Sequence, residues 1–197
     1  ALTGLAQTKK HSRSFTELSL ADKDSCYLVS GKGFQVTFSK TNGALSSYLW
    51  NNKEQIFSPL LPHFTRPLTD NDRCGWKPNE ILKEWYSSNL KLMNVTSAQP
   101  EKGVVKITSE YSLIDGKASS KVIYTLNGEG ELKVECLLVP SEGLPNIPKV
   151  GMQCGILRKY DQINWYGNLW KIMSFRRKMG TGLMFGGCFF PINKRKV

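Results

Sequence analysis

Within the segment Pro62-His63-Phe64-Thr65-Arg66-Pro67-Leu68-Thr69-Asp70-Asn71-Asp72-Arg73-Cys74-Gly75-Trp76, two arginines, two aspartates, an asparagine and a tryptophan crowd around two prolines and a glycine. Arg66, Asp70, Asn71 and Asp72 can hydrogen-bond hydroxyl groups, and Trp76 can offer a ring face to C–H groups. Together that is the chemistry that holds a sugar. The same residues also make an ordinary polar surface loop in which Arg66 pairs with an aspartate. Pro67 fixes its own φ and biases Arg66 toward an extended backbone, while Asp70 and Asn71 favour turns that bond their own backbone. The segment therefore reads as a shaped, polar loop.

Other chemistries find no complete set of residues. The histidines are His11 and His63, and no Gly-x-Ser-x-Gly occurs, so nucleophilic catalysis lacks its base and its elbow. Gly180, Gly182, Gly186 and Gly187 do not follow a phosphate-loop spacing. Glycoside hydrolysis needs two carboxylates about 5–10 Å apart. Sixteen acidic residues make some pair inevitable, so Asp70 with Asp72 is not by itself evidence. No catalytic residue and no metal ligand is assigned to this chain.

The elements that must position the loop read as strands. Cys26–Val29 and Phe34–Phe38 flank Ser30-Gly31-Lys32-Gly33, a hairpin connection, and Phe34, Val36 and Phe38 alternate with polar neighbours. Thr41-Asn42-Gly43 and Asn51-Asn52-Lys53 are further tight turns. After the loop, residues 79–90 form the helix expected from the sequence, with Ile81, Leu82, Trp85 and Leu90 on its apolar face. Strands are then expected over 91–98, 104–114, 118–127, 130–139 and 152–157. Antiparallel strands joined by turns, with one short helix, predict an all-β sandwich of large sheets. Residues 1–24 are polar and irregular, and read as a linker or the remnant of a preceding domain.

Hydrophobic content of 40% and charged content of 22% fit a globular domain with a sizeable core. Five widely spaced cysteines (Cys26, Cys74, Cys136, Cys154, Cys188) match neither a zinc site nor a disulfide framework, so a reducing, cytoplasmic setting is expected. No run approaches the ~18 apolar residues of a membrane span. Of the net charge of +11, most lies in residues 158–197, where nine Lys/Arg face the single acid Asp161. The main body is close to neutral, and no recognised nucleic-acid module accompanies the basic end. Neither nucleic acid nor membrane is expected as a partner.

Phe64-Thr65-Arg66-Pro67-Leu68-Thr69-Asp70-Asn71-Asp72 resembles the F-x-R-x-x-x-D-N-D signature in the C-terminal domain of the large β-galactosidases of glycoside hydrolase family 2. The order of neighbouring features agrees, from the Asn42-Gly43 turn through Leu60-Leu61-Pro62 and Trp85 to Ile163-Asn164-Trp165-Tyr166-Gly167. The resemblance covers about residues 25–167. It implies a supersandwich like that of galactose mutarotase, packed on a (β/α)8 barrel in an enzyme expected to be a homo-oligomer. The catalytic glutamates, magnesium and sodium then belong to the barrel, and this domain brings no cofactor of its own. Its expected role is to wall the pocket for galactose or a β-galactoside. Arg66, Asp70, Asn71, Asp72 and Trp76 are the expected wall or loop-shaping residues, and Arg73, Cys74, Gly75 and Lys77 fall in the expected mobile loop. A free-standing sugar-binding or mutarotase-like sandwich is the alternative, with His63 its one candidate base.

After Gly167 the family pattern G-x-G-P-x-E-N-Y gives way to Asn168-Leu169-Trp170-Lys171-Ile172-Met173. Codons TGG AAA ATT ATG for residues 170–173 encode Glu-Asn-Tyr when read two bases later. A frameshift near residue 168, leaving 168–197 as an out-of-frame basic tail, is therefore expected, with a truncated C-terminal domain before it. The nucleotide sequence checks this: codons that yield no Glu-Asn-Tyr in another frame overturn it.

Overall fold

The computed structural model describes residues 15–157 and 159–160, together with the backbone of 183–185. The expected Ile163–Gly167 segment and almost all of the basic tail lie outside the described residues. Within them, two antiparallel sheets stack as an all-β sandwich.

The larger sheet contains β1 (Ser19–Asp22), β2 (Cys26–Gly31), β3 (Phe34–Ser39), β4 (Leu45–Trp50), β5 (Lys53–Glu54), β6 (Ile56–His63), β11 (Gly151–Ile156) and β12 (Leu183–Phe185). Its order is β1-β2-β3-β4-β6-β11-β12, with β5 paired to β4. The smaller sheet is the meander β7 (Lys91–Glu101), β8 (Val104–Leu113), β9 (Ala118–Asn127) and β10 (Leu132–Pro140). Three short helices lie between β6 and β7: α1 (Asp70–Cys74), α2 (Pro78–Ile81) and α3 (Lys83–Tyr86).

Period-two patterning carries most of this arrangement. Phe34, Val36 and Phe38 of β3 are buried while Gln35 and Thr37 between them are not, and Val105, Ile107, Val122, Tyr124 and Leu126 bury the facing side. Strand formation begins earlier than the composition indicates, because β1 pairs with β2 from Ser19↔Ser30 to Asp22↔Tyr27 and Leu18 joins the core. The expected helix over 79–90 is instead divided. Leu82 has φ −107° and ψ 28°, which ends α2 and starts α3. Leu82 and Trp85 face inward, but Ile81, expected on the same face, is 59% exposed.

Four tyrosine hydroxyls join one sheet to the backbone of the other. Tyr48 Oη donates to Gly130 O at 2.6 Å, Tyr124 Oη to Leu60 O at 3.0 Å, Tyr111 Oη to Asn42 O at 3.0 Å and Tyr27 Oη to Val95 O at 3.4 Å. The Asn42-Gly43 turn is a receptor for this contact. Gly43 sits at φ 65°, and Ser109 Oγ donates to its carbonyl at 2.6 Å. A Cβ there would lie 2.6–2.9 Å from Leu92, Ser109 and Tyr111. Glycine is needed both for the backbone and for the close approach.

Burial pushes the Tyr48 and Tyr111 phenols up to about 12, and Tyr124 well above its ordinary value. A folded-state pKa raised above the unfolded value gives stability that is complete below about pH 10 and lost as pH rises through the folded value. Absorbance at 295 nm is therefore expected to show these tyrosines ionising together with alkaline unfolding, between about pH 10 and 12. Tyr124→Phe, which removes the inter-sheet hydrogen bond to the Leu60 carbonyl, is expected to cost about 0.5–1.5 kcal/mol in urea unfolding.

Candidate functional site

β6 ends at His63, and Phe64 turns into the core at 4% exposure, where it packs on fully buried Trp85 with ring centroids 6.3 Å apart. Trp85 Nε1 donates to Pro145 O at 2.8 Å, tying α3 to the connection before β11. Tyr86 Oη donates to Arg66 O at 3.2 Å and holds the next stretch of chain. From these anchors the backbone reaches Thr69, the N-cap of α1.

Residues 70–74 are helical rather than a loop. The cause is a capping box: the Asp72 amide donates to Thr69 Oγ1 at 3.3 Å, and the Thr69 amide donates to Asp72 Oδ2 at 2.8 Å. The Thr-x-x-Asp spacing was a legible signal for it. Gly75 N closes the helix on Asn71 O at 2.8 Å, and a Cβ on Gly75 would lie 2.6 Å from that same oxygen.

Asp72 is the hub. Its carboxylate, 3% exposed, accepts from both Nη groups of Arg66, from the Thr69 amide and hydroxyl, and from Trp76 Nε1 at 3.0 Å. The forked guanidinium contact first, and then the Thr69 and Trp76 donors, hold its pKa well below the usual carboxylate range. Arg66 is correspondingly raised. A carboxylate with its lone pairs so fully taken is a structural anion, not a proton carrier. Asp70, two residues away on the helix, is exposed and points elsewhere, so the two aspartates do not form a facing pair.

Of the remaining expected wall residues, Asn71 is exposed and contributes its carbonyl to the helix end. Arg73 and Cys74 belong to α1, with both side chains exposed. Lys77 joins α1 to α2 at φ 47°; its amide donates to Asp72 O at 2.9 Å, and its ammonium lies 3.4 Å from Glu80. Trp76 differs from the buried aromatics Phe64 and Trp85 beside it. Its N–H is anchored on Asp72, yet the residue is 51% exposed. Thr69, Tyr86 and the Pro145 carbonyl are supports that sequence reasoning did not single out. Only Thr69 had a local signal, since the other two act across 20 and 60 residues.

The sequence signature described as the beta galactosidase small chain matches residues 30–168, which contain this whole site. The chain belongs to the β-galactosidase small-chain family. It is 34% identical over 151 residues to a beta-galactosidase of Priestia megaterium, covering 76% of this chain and 14% of that protein. A beta-galactosidase of Clostridium acetobutylicum is 32% identical over 142 residues, 71% of this chain and 16% of its own length. One from Halalkalibacterium halodurans is 33% identical over 144 residues, 70% and 14% respectively. The chain thus spans about one-seventh of these curated relatives. Among the described residues of this small-chain domain, no three His, Cys, Asp or Glu side chains gather as metal ligands, and no helix is long and apolar enough to cross a membrane.

Thr69→Ala, which removes the cap, is expected to cost about 1 kcal/mol in chemical denaturation. Asp72→Asn is expected to lower the melting temperature more than Asp70→Asn, because among the described residues Asp72 is the one of the two with side-chain partners. The depressed pKa of Asp72 gives stability that is present above the unfolded value of about 4 and is lost as pH falls through the folded value. Thermal melts at decreasing pH should show that acid loss in the unmodified chain and not in Asp72→Asn.

Proposed function

We propose that this domain supplies the non-catalytic wall of the galactose pocket in a β-galactosidase, an enzyme hydrolysing terminal β-D-galactosides such as lactose. The observation that carries the reading is the half-exposed indole of Trp76, oriented by its N–H on Asp72. An aromatic face held this way costs little ordering entropy when a sugar ring packs on it. In this reading the Arg66–Asp72 pair shapes the platform and performs no chemistry. The acid, the nucleophile, and any magnesium or sodium are supplied by the barrel domain of the same polypeptide. The sandwich is of the mutarotase-like type, the enzyme is a cytoplasmic homo-oligomer, and neither nucleic acid nor membrane is a partner.

A chimera tests this. Residues 30–168 replace the matching region of the Priestia megaterium enzyme, and hydrolysis of a nitrophenyl galactoside is followed. The chimera is expected to turn over substrate. Trp76→Ala within it should raise KM by about ten-fold, the scale of one lost aromatic contact. A folded chimera whose KM is indifferent to Trp76→Ala overturns the role of the indole. The 197-residue chain alone is expected to show no turnover.

A further inference from the structure

Beside the Arg66–Asp72 clamp lies a second polar cluster that the capping network does not use. His63 closes β6 and pairs with Gly151 of β11. Lys149 lies two residues before Gly151, so the β6–β11 pairing brings its stretch of chain beside His63 and Thr65 at the end of the ladder. Thr65 Oγ1 lies 3.3 Å from His63 Nε2 and fixes the ring. The other ring nitrogen, Nδ1, is shielded from solvent and has no hydrogen-bond partner among the described residues. Lys149 Nζ is likewise shielded and unpartnered. Unpaired buried polar nitrogens are uncommon and costly, and two at the end of one ladder call for a common acceptor.

In the tautomer whose Nε2 accepts from the Thr65 hydroxyl, and in the charged ring, Nδ1 carries a proton, so both open nitrogens are then donors. We propose that His63 and Lys149 form a receptor for a carboxylate, which takes a hydrogen bond from each. Burial first, and then the Lys149 cation, hold the His63 imidazole below its ordinary pKa against a smaller opposing effect of the Thr65 backbone, while burial alone lowers Lys149. An arriving anion opposes both shifts, because a nearby negative charge stabilises each charged form. Both residues keep part of their surface exposed, and Lys149 lies in the irregular connection before β11, so its long side chain can move aside for an anion to enter. The carboxylate receptor is independent of the sugar-wall reading.

The experiment is a histidine NMR titration of the full 197-residue chain carrying His11→Gln, which leaves His63 as its one imidazole. Sodium acetate replaces sodium chloride at constant ionic strength. The expected result is a saturable shift of the His63 ring signals with a raised His63 pKa. Apparent affinity should fall about ten-fold or more in Lys149→Met, the scale of a lost charge-assisted hydrogen bond. It should be retained in Lys149→Arg and in the surface control Lys106→Met. Saturation also by a blocked aspartyl peptide identifies a protein side chain as an available source; saturation by acetate alone identifies a small free carboxylate. A shift that does not saturate, or one unchanged in Lys149→Met, overturns the proposal. Inorganic phosphate saturating where acetate does not overturns the carboxylate assignment. If Lys149→Met fails to fold, the acetate titration of Lys149→Arg and of the unsubstituted lysine form still decides.

Discussion

The sandwich depends on burying tyrosine. A phenol taken into an apolar core must find an acceptor for its hydroxyl, and here Tyr48, Tyr111 and Tyr124 each find one on the backbone of the opposing layer. Their rings fill the space between the sheets, as in the Phe38–Tyr124 contact at 5.2 Å, while their hydroxyls set the position of one layer on the other. Apolar side chains alone would hold the sheets together with much less positional definition, because burial is non-directional. The hydrogen bonds end at particular carbonyls, of the Asn42-Gly43 turn, Gly130 and Leu60. The last of these lies only three residues before His63, so the core fixes the strand from which the site departs.

From that strand outward, control passes from apolar packing to one charge. Phe64 and Trp85 bring the chain to the rim, and Asp72 organises what lies beyond it. A single buried carboxylate accepts from Arg66, Thr69 and Trp76 and thereby sets a turn, a helix start and the plane of an indole. Removing one partner of such a cluster strands the others, which is why its worth exceeds that of an exposed ion pair. The network also explains how a platform can be half exposed and still well oriented. Its fixed end is polar and its free end is a ring face.

The two clusters at the end of β6 differ in kind. Around Asp72 every lone pair is used, whereas His63 Nδ1 and Lys149 Nζ have no partner among the described residues. The first is a closed structural unit, and the second has the form of half an interaction. Six residues of sequence separate Arg66 from Asp72 in the closed unit, but 86 separate His63 from Lys149 in the open one.

Local residue types determined much by themselves. Alternation in 34–38, 104–107 and 122–126 located the core faces, and Asn-Gly, Asn-Asn and Gly-rich turns located the hairpins, because period and turn chemistry act over a few residues. The Phe64–Asp72 motif marked the site and its family. What only the tertiary structure decided acts over distance. Ser19–Asp22 is a strand because β2 offers it an edge, and Ile81 turns outward because Leu82 breaks the helix while Trp85 takes the core position. Asp70 and Asp72, equal in sequence, part into an exposed acid and a buried hub because a helix places residues two apart on different faces. Lys149 is brought near His63 through the β6–β11 pairing of Gly151 with His63, which no local pattern specifies.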